Sequence, residues 1–292
     1  MKILIFGATG MLGHKLMQSL SQSFNVFGTL RRDDKDLRSH LVLGKMNLIG
    51  NTYAEDEKSV KNAIKAANPD VIINCIGIIK QLSEAKDPIK SITINSLFPH
   101  VLARECMAKG IRLIHLSTDC VFSGKEGYYS EKDVPDAFDL YGRSKLLGEL
   151  NEPGCLTLRT SIIGRELNST NGLLEWFLSQ QGKKIRGFTN TIFSGLTTNA
   201  LSDIIAQVIV KYPELEGLYH LSSDPISKFN LLSLIKNRFE LEIEIEPDET
   251  AIIDRSLDSS KFRRETKITI PSWKKMIDEL HSDQTPYNKM RG

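Results

Sequence analysis

The chain lacks the features that mark several classes of protein. It has four cysteines in 292 residues, Cys75, Cys106, Cys120 and Cys155. None form a CxxC pair, and a chain this long does not need disulfide staples, so a reducing cytoplasm is the simplest expectation. It has no charge excess: 38 basic against 36 acidic residues leave a formal net charge of +2. No global field therefore draws nucleic acid or anionic lipid, and an anionic ligand must be held by a local site. No apolar run approaches the ~20 residues that span a bilayer, so no membrane partner is expected. The apolar run in "MKILIFGATG" is too short for a signal-peptide core and stops at a glycine. Internal repeats and low-complexity linkers are missing too, and no metal site is expected.

What is present is ordinary for a soluble globular protein: 40% hydrophobic and 25% charged residues. The length suits one large domain or two modest ones sharing a core. Short apolar runs without alternation, at 2–6, 24–30, within 40–48, 70–77, 111–118 and 155–163, predict strands buried on both faces. Between them, 11–23, 56–67, 92–110 and the "YGRSKLLGEL" stretch predict helices, with Pro99 kinking the third. Alternation of this kind implies right-handed crossovers and a parallel sheet covered on both sides. The expected fold is α/β: a Rossmann-like doubly wound parallel sheet over residues 1–160, with part of 190–222 added back to it. A smaller α/β substrate-binding region follows over 161–190 and 223–280. There, helices are predicted over 171–181, 199–212 and 227–239, and strands over 217–223 and 241–247. Trp176 and Trp273, on helical periods, are expected in the core. The polar tail 281–292 has little to bury and is expected to fray.

The first strand runs into "GATGMLG", with glycines at 7, 10 and 13. A strand, a glycine turn and a helix aim backbone N–H groups and the positive helix end at an anion. Positions without side chains let a pyrophosphate approach and let the helix pack close to the sheet. The spacing is GxxGxxG rather than GxGxxG. A tight turn that merely needs glycine is the bland alternative, but the placement favours a dinucleotide held by Gly7, Thr9, Gly10, Met11, Leu12 and Gly13. The second strand should end at the adenosine ribose. There "GTLRRDD" offers Arg31 and Arg32, whose guanidinium groups suit a 2′-phosphate. NADP is therefore expected ahead of NAD, with Asp33 or Asp34 keeping NAD open.

Several motifs in order, GATGMLG, the asparagine of "KMNL", "NCIG", "LSTDCVFSG" and "YGRSK", resemble the extended short-chain dehydrogenase/reductase family. Within it, "STDCVFSGKEGYYSEKDVPDAFDLYGRSKLLGE" resembles the dTDP-4-dehydrorhamnose reductase branch. The resemblance covers residues 1–165. It implies that Thr118, Tyr141 and Lys145 are catalytic, and that Lys145 also bonds the nicotinamide ribose. It further implies that Asn47, with Leu48, meets the adenine edge, and that Cys75, Ile76 and Gly77 line the path from diphosphate to nicotinamide. Asn74 could equally cap a turn. Asn95 is implied as a polar orienter behind the lysine. The chemistry of the pair is simple. Residues four apart on a helix share a face. A phenol with a pKa near ~10 needs help to exchange a proton at neutral pH. A nearby ammonium, with a positive nicotinamide, favours the phenolate. A hydroxyl at 118 can bond the substrate oxygen as charge develops on it, whereas Ser117 should face the other side of its strand.

The expected reaction is reduction of a keto carbon on a nucleotide-linked 4-keto-6-deoxysugar, for polysaccharide precursor synthesis. The 4,6-dehydratases use an Asp-Glu pair after the threonine, and here Asp119 is followed by Cys120. Asp119, Arg165 and Arg255 are expected on the substrate side, the two arginines because guanidinium forks suit phosphate oxygens. Two alternatives stay open: an epimerase with tightly bound NAD, and a non-catalytic NADP-binding regulatory subunit. Members of the resembled family are often dimers, so a homodimer is an expectation of the resemblance alone.

Overall fold

The structure, a computed structural model, describes residues 1–32, 41–167 and 169–290. Strands β1 (Lys2–Phe6), β2 (Asn25–Thr29), β3 (Asn47–Ile49), β4 (Val71–Asn74), β5 (Arg112–Thr118) and β6 (Cys155–Thr160) form most of one sheet. Between them lie α1 (Met11–Leu20), α2 (Glu57–Ala67), a continuous run of α3 (Pro88–Ser91), a π-helical turn (Ile92–Leu97) and α4 (Phe98–Met107), and α5 (Leu140–Leu147). The chain goes on through β7 (Ile162–Ile163), α6 (Leu173–Leu178), β8 (Lys184–Phe188), β9 (Thr191–Phe193), β10 (Leu196–Thr197), α7 (Thr198–Lys211) and β11 (Gly217–His220). It ends with β12 (Ile226–Ser227), α8 (Lys228–Phe239), β13 (Glu244–Asp248), β14 (Ile253–Asp254), α9 (Ser260–Thr266) and α10 (Trp273–His281), before a short 3-10 turn (Tyr287–Met290).

Among the described residues, seven parallel strands pair in the order β11-β6-β5-β4-β1-β2-β3. The fold is therefore α/β with a Rossmann-like parallel sheet and smaller sheets behind it. The apolar runs are continuous because both faces are covered. Ile3 and Ile5 face one apolar cluster with Leu16, Met17 and Ile205, while Leu4 and Phe6 face another with Val60, Ile64 and Leu102. The first cluster reaches Ile235, Phe262 and Met276, so the carboxyl-terminal region shares a core with the sheet. From β1 the chain builds outward through β2 and β3 on one side and β4, β5 and β6 on the other. Such a reversal opens a crevice beyond the carboxyl ends of β1 and β4.

Three expectations differ. Pro99 lies inside a helical run that is continuous from Pro88 to Met107, and the change of pitch falls in the π-helical turn directly before it. Trp273 is buried and its indole N–H donates to the Asp224 carbonyl over 2.7 Å, but Trp176 is 39% exposed. The tail does not hang free: it lies along α1. Lys15 and Asp283 form a 2.6 Å ion pair with both side chains under 10% exposed. Tyr287, 2% exposed, meets the buried His14 through its hydroxyl at 2.9 Å. Composition alone hid this, because the tail's partners are polar groups on a helix more than 260 residues earlier.

Candidate active site

The glycine loop is built by close approaches. Gly7 has φ +89°, a left-handed conformation that favours glycine, and closes against Cys75 and Ile76 at the end of β4. A Cβ at Gly13 would lie 2.0 Å from the Gly7 carbonyl oxygen, so α1 packs directly on the turn. Gly10 is the N-cap of α1 with no side chain to cap the helix, and the first turn carries no acidic residue. The first N–H groups of α1 thus remain available to an anion. Thr9 and Gly10 are exposed, Met11 is half-buried, and Leu12 is buried in the core. These residues fit the diphosphate of a dinucleotide. One residue of this loop was not foreseen: the buried Thr29 accepts the Gly7 N–H at 3.3 Å and its carbonyl accepts Ala8 N–H at 3.2 Å, tying the turn to β2.

Arg31 and Arg32 follow β2 and are exposed, at the carboxyl end where a ribose would lie. Asp33 and Asp34 lie outside the described residues. Asn47 has a different position from the one expected. It opens β3, is exposed, and its amide donates to Asn25 Oδ1 at 3.3 Å and to the Val26 carbonyl at 3.2 Å. That is the amino end of the strands, opposite the glycine loop. The carboxyl edge beside Arg32 is formed instead by Asn51, whose N–H donates to the Arg32 carbonyl at 3.0 Å. Leu48 pairs with Gly28 and packs half-buried against the core.

Beyond β4, the Cys75 N–H donates to the Phe6 carbonyl at 3.0 Å, and burial pushes the Cys75 thiol up to about 12. Asn74 caps the turn: its side-chain oxygen accepts Ile76 N–H at 3.1 Å and its amide meets His115 Nδ1 at 3.1 Å. Asn95, in the π-helical turn and 1% exposed, pins the same loop. It accepts Ile78 N–H at 2.8 Å, donates to the Ile78 carbonyl at 3.1 Å, and bridges to the Ser144 hydroxyl at 3.1 Å. Its amide thus links the loop carrying Gly77 to α5. Direct contact with a cofactor is not needed for that role.

Thr118 ends β5, with its hydroxyl near enough to the Tyr141 phenol to act on it. The same hydroxyl donates to Asp119 Oδ1 at 3.1 Å and accepts Cys120 N–H at 3.1 Å. Ser117 points away, to Glu149 at 2.6 Å. Asp139 caps α5 by accepting Gly142 N–H at 2.8 Å and pairs with Lys80 at 2.6 Å, whose ammonium lies 5.8 Å from the Tyr141 ring centre. Gly142 makes the approach feasible, since a Cβ there would fall 2.3 Å from the Cys120 carbonyl oxygen. A glycine inside a helical pattern, which costs about 1 kcal/mol against alanine, is the sequence signal that points to it. Lys145, 5% exposed, donates to the Leu116 carbonyl at 2.7 Å.

The electrostatics differ from the simple pairing picture. Burial, then the neighbouring Cys120, Asp119 and Asp139, push the phenol above its ordinary value; the Thr118 hydroxyl acts the other way. Burial brings the Lys145 ammonium down to about 8, opposed by Glu149 and Cys75. Asp119 is also raised, chiefly by burial.

On the substrate side, Arg255 reaches the Thr118 turn. Its Nε donates to the Phe122 carbonyl at 2.8 Å and its Nη2 to the Ser123 carbonyl at 3.1 Å. Arg165 has another occupation: a 2.6 Å ion pair with the buried Glu175, with its guanidinium 4.6 Å from the Tyr287 ring centre. It braces the tail rather than standing beside Asp119.

The glycine turn at the sheet's reversal and the Thr118–Tyr141–Lys145 grouping together define a Rossmann-type nucleotide-binding protein with an oxidoreductase-like site. The chain belongs to the RmlD substrate binding domain family, whose model matches residues 1–285. It is 24% identical to the dTDP-4-dehydrorhamnose reductase of Salmonella typhimurium, over 98% of this chain and 100% of that one. It is 26% identical to the methionine adenosyltransferase 2 subunit beta of Rattus norvegicus, over 82% of this chain and 72% of that one. Among solved structures, a hypothetical dTDP-4-dehydrorhamnose reductase from Sulfolobus tokodaii superposes with a TM-score of 0.77 at 27% identity, covering 92% of this chain and 96% of the other. The Bacillus anthracis dTDP-4-dehydrorhamnose reductase in complex with NADP gives 0.78 at 22% identity, covering 96% and 98%, and so speaks to the fold. No helix among the described residues is long and apolar enough to cross a membrane.

Proposed function

We propose that the protein is an NADPH-dependent reductase of the keto group of a nucleotide-linked 4-keto-6-deoxysugar, serving polysaccharide precursor synthesis. The observation that carries this reading is the gathering of Thr118, Tyr141 and Lys145 at the carboxyl end of β5: Tyr141 and Lys145 lie one turn apart on α5, Lys145 Nζ donates to the Leu116 carbonyl at 2.7 Å, and α5 packs through Gly142 on the Cys120 carbonyl of the Thr118 turn. Gly7, Gly10 and the first N–H groups of α1 would hold the cofactor diphosphate, with Arg31 and Arg32 at the 2′-phosphate. When bound, the nicotinamide supplies a hydride to the keto carbon. Tyr141 gives its proton to the carbonyl oxygen. A phenol raised by burial keeps that proton until an alkoxide develops beside it, which suits an acid in the reducing direction. Thr118 supports the same oxygen once its hydroxyl, which donates to Asp119 at 3.1 Å in this structure, turns its proton to the substrate. Lys145, held on the Leu116 carbonyl, keeps a cation at the nicotinamide end of the crevice.

A second reading is an NADP-binding regulatory subunit without turnover. It is favoured by the likeness to the methionine adenosyltransferase subunit. One assay separates them. Purified protein is mixed with NADPH and a panel of dTDP- and UDP-linked 4-keto-6-deoxysugars, and the nicotinamide absorbance is followed. Decay that depends on one sugar supports the reductase. NADPH binding with a flat trace across the panel sinks it and leaves the subunit. Stoichiometric NAD carried through purification would favour an epimerase instead.

A further inference from the structure

The open end of α1 is gripped from a place that the glycine spacing does not mark. Gly10 caps α1, and its carbonyl accepts two hydrogen bonds from His14, one turn on: the backbone N–H at 3.1 Å and ring Nδ1 at 2.8 Å. A carbonyl only accepts, so Nδ1 carries the hydrogen, and in the neutral ring Nε2 is left as an acceptor. The Tyr287 hydroxyl fills it, donating over 2.9 Å. His14 is fully buried and Tyr287 nearly so. The peptide between Gly10 and Met11 is planar, with its C=O and N–H opposed. Holding the Gly10 carbonyl down the helix therefore aims the Met11 N–H out of the open end, toward an anion bound there.

A second arm runs from the same tyrosine. The Arg165 guanidinium lies 4.6 Å from the Tyr287 ring centre and pairs with Glu175 at 2.6 Å. Glu175 Oε1 also accepts Glu166 N–H at 3.0 Å, and Glu166 Oε2 accepts Gly172 N–H at 2.9 Å. Gly172 then closes on the Met11 side chain, since a Cβ there would fall 2.5 Å from Met11 Cε. Tyr287 thus reaches Gly10 through one buried ring and Met11 through an ion pair and two hydrogen bonds. The segment before it is tied to the following turns of α1, through Lys15 with Asp283 at 2.6 Å and Gln18 with Thr285 at 3.0 Å. Residues 283–287 therefore lie along the helix whose open end faces the crevice, and Tyr287 leaves it only by letting go of the ring that holds Gly10.

We propose that His14 and Tyr287 are positioning residues for the cofactor, which make docking of residues 283–287 and binding of the dinucleotide one coupled equilibrium. The docked segment keeps the Gly10–Met11 peptide aimed at the diphosphate. With the segment undocked, that peptide loses its tether and must be ordered at the moment of binding, so the cofactor is held more weakly. The coupling is reciprocal: bound cofactor holds the segment down by the same factor. The inference rests on the dinucleotide reading of the glycine turn and adds to it two residues that the turn itself does not contain.

Two measurements test it. Tyr287 is 2% exposed, so chymotrypsin cuts after it only when the segment is undocked, and the rate at which a chain ending at residue 287 appears, with no other cut, reports undocking. In wild type, saturating NADPH should slow that cut by about tenfold or more. A cut equally fast with and without NADPH, in protein that binds it, overturns the coupling. NADPH affinity is then titrated by fluorescence in wild type, Tyr287→Phe and Tyr287→Ala, with thermal unfolding as the control for folding. The Phe variant keeps the ring beside Arg165 and loses only the bond to His14, and its affinity should fall by about threefold to tenfold. The Ala variant loses both arms and should fall further. Wild-type affinity in the Phe variant overturns the role of the His14–Tyr287 bond, and wild-type affinity in both overturns the proposal whole. Should the Ala variant fail to fold, the wild-type cut and the Phe variant decide. Wild-type protein that binds neither NADPH nor NADH overturns the dinucleotide reading and this inference with it.

Discussion

The two ends of the molecule carry their information differently. In the first 160 residues each strand is a compact apolar run bounded by turn residues, because a parallel sheet covered on both faces needs side chains of one kind on every position. In the remainder the strands are two to five residues long, and four of them, β7, β10, β12 and β14, are pairs. Two residues have no period. Yet it is this second half that brings Arg255 onto the Phe122 and Ser123 carbonyls beside Thr118. The first half sets what chemistry is available, and the second sets what is presented to it.

Substitutions can break that division or sharpen it. The largest effect should be that of Tyr141→Phe, which removes the proton donor. Turnover should fall by roughly 10³-fold while NADPH affinity is kept; equal loss of both would mean that the tyrosine is holding the site together. Gly13→Ala comes next. Its Cβ would meet backbone at 2.0 Å, so α1 must move off the turn, and NADPH affinity, followed by fluorescence, should fall about 100-fold. An unaltered affinity would show that the loop tolerates what its geometry forbids.

Asp283→Ala tests whether the tail belongs to the first half. It leaves Lys15 buried without its partner, and unfolding free energy by urea titration should drop by about 3 kcal/mol. A change within error would mean that the tail lies on α1 without supporting it. The pH profile follows from Lys145. Its value near 8 is depressed, so the ammonium is complete well below that pH and is lost as pH rises through it. The reduction rate should therefore bend downward above about 8, approaching a tenfold loss per pH unit. A rate flat to pH 10 would take the ammonium out of the mechanism. The smallest effect is Arg32→Ala, expected to weaken NADPH by about tenfold and NADH little; an equal effect on both would remove the preference for the 2′-phosphate.

Much of the site was legible because its signals are local. Gly7, Gly10 and Gly13 stand after a strand and before a helix, and Tyr141 and Lys145 share a helical face whatever surrounds them. Asn47 was misplaced because a three-residue strand at the sheet edge does not say which of its ends the chain will turn toward the crevice. Thr29, Asn95 and Arg255 act through partners 22, 17 and 133 residues away, and no window of sequence contains such pairs. The tail misled for the same reason: a polar segment looks unanchored until its partners come into view.

The sequence by itself determined the parallel sheet, the glycine turn ahead of α1 and the placing of Tyr141 and Lys145 on one helical face, since each follows from spacing within one or two elements. Only the tertiary structure decided that burial raises the phenol, that Arg165 pairs with Glu175, and that Arg255 closes on the turn after Thr118. Desolvation and long-range Coulomb interactions depend on what surrounds a charge in space, and adjacency in the chain does not report it.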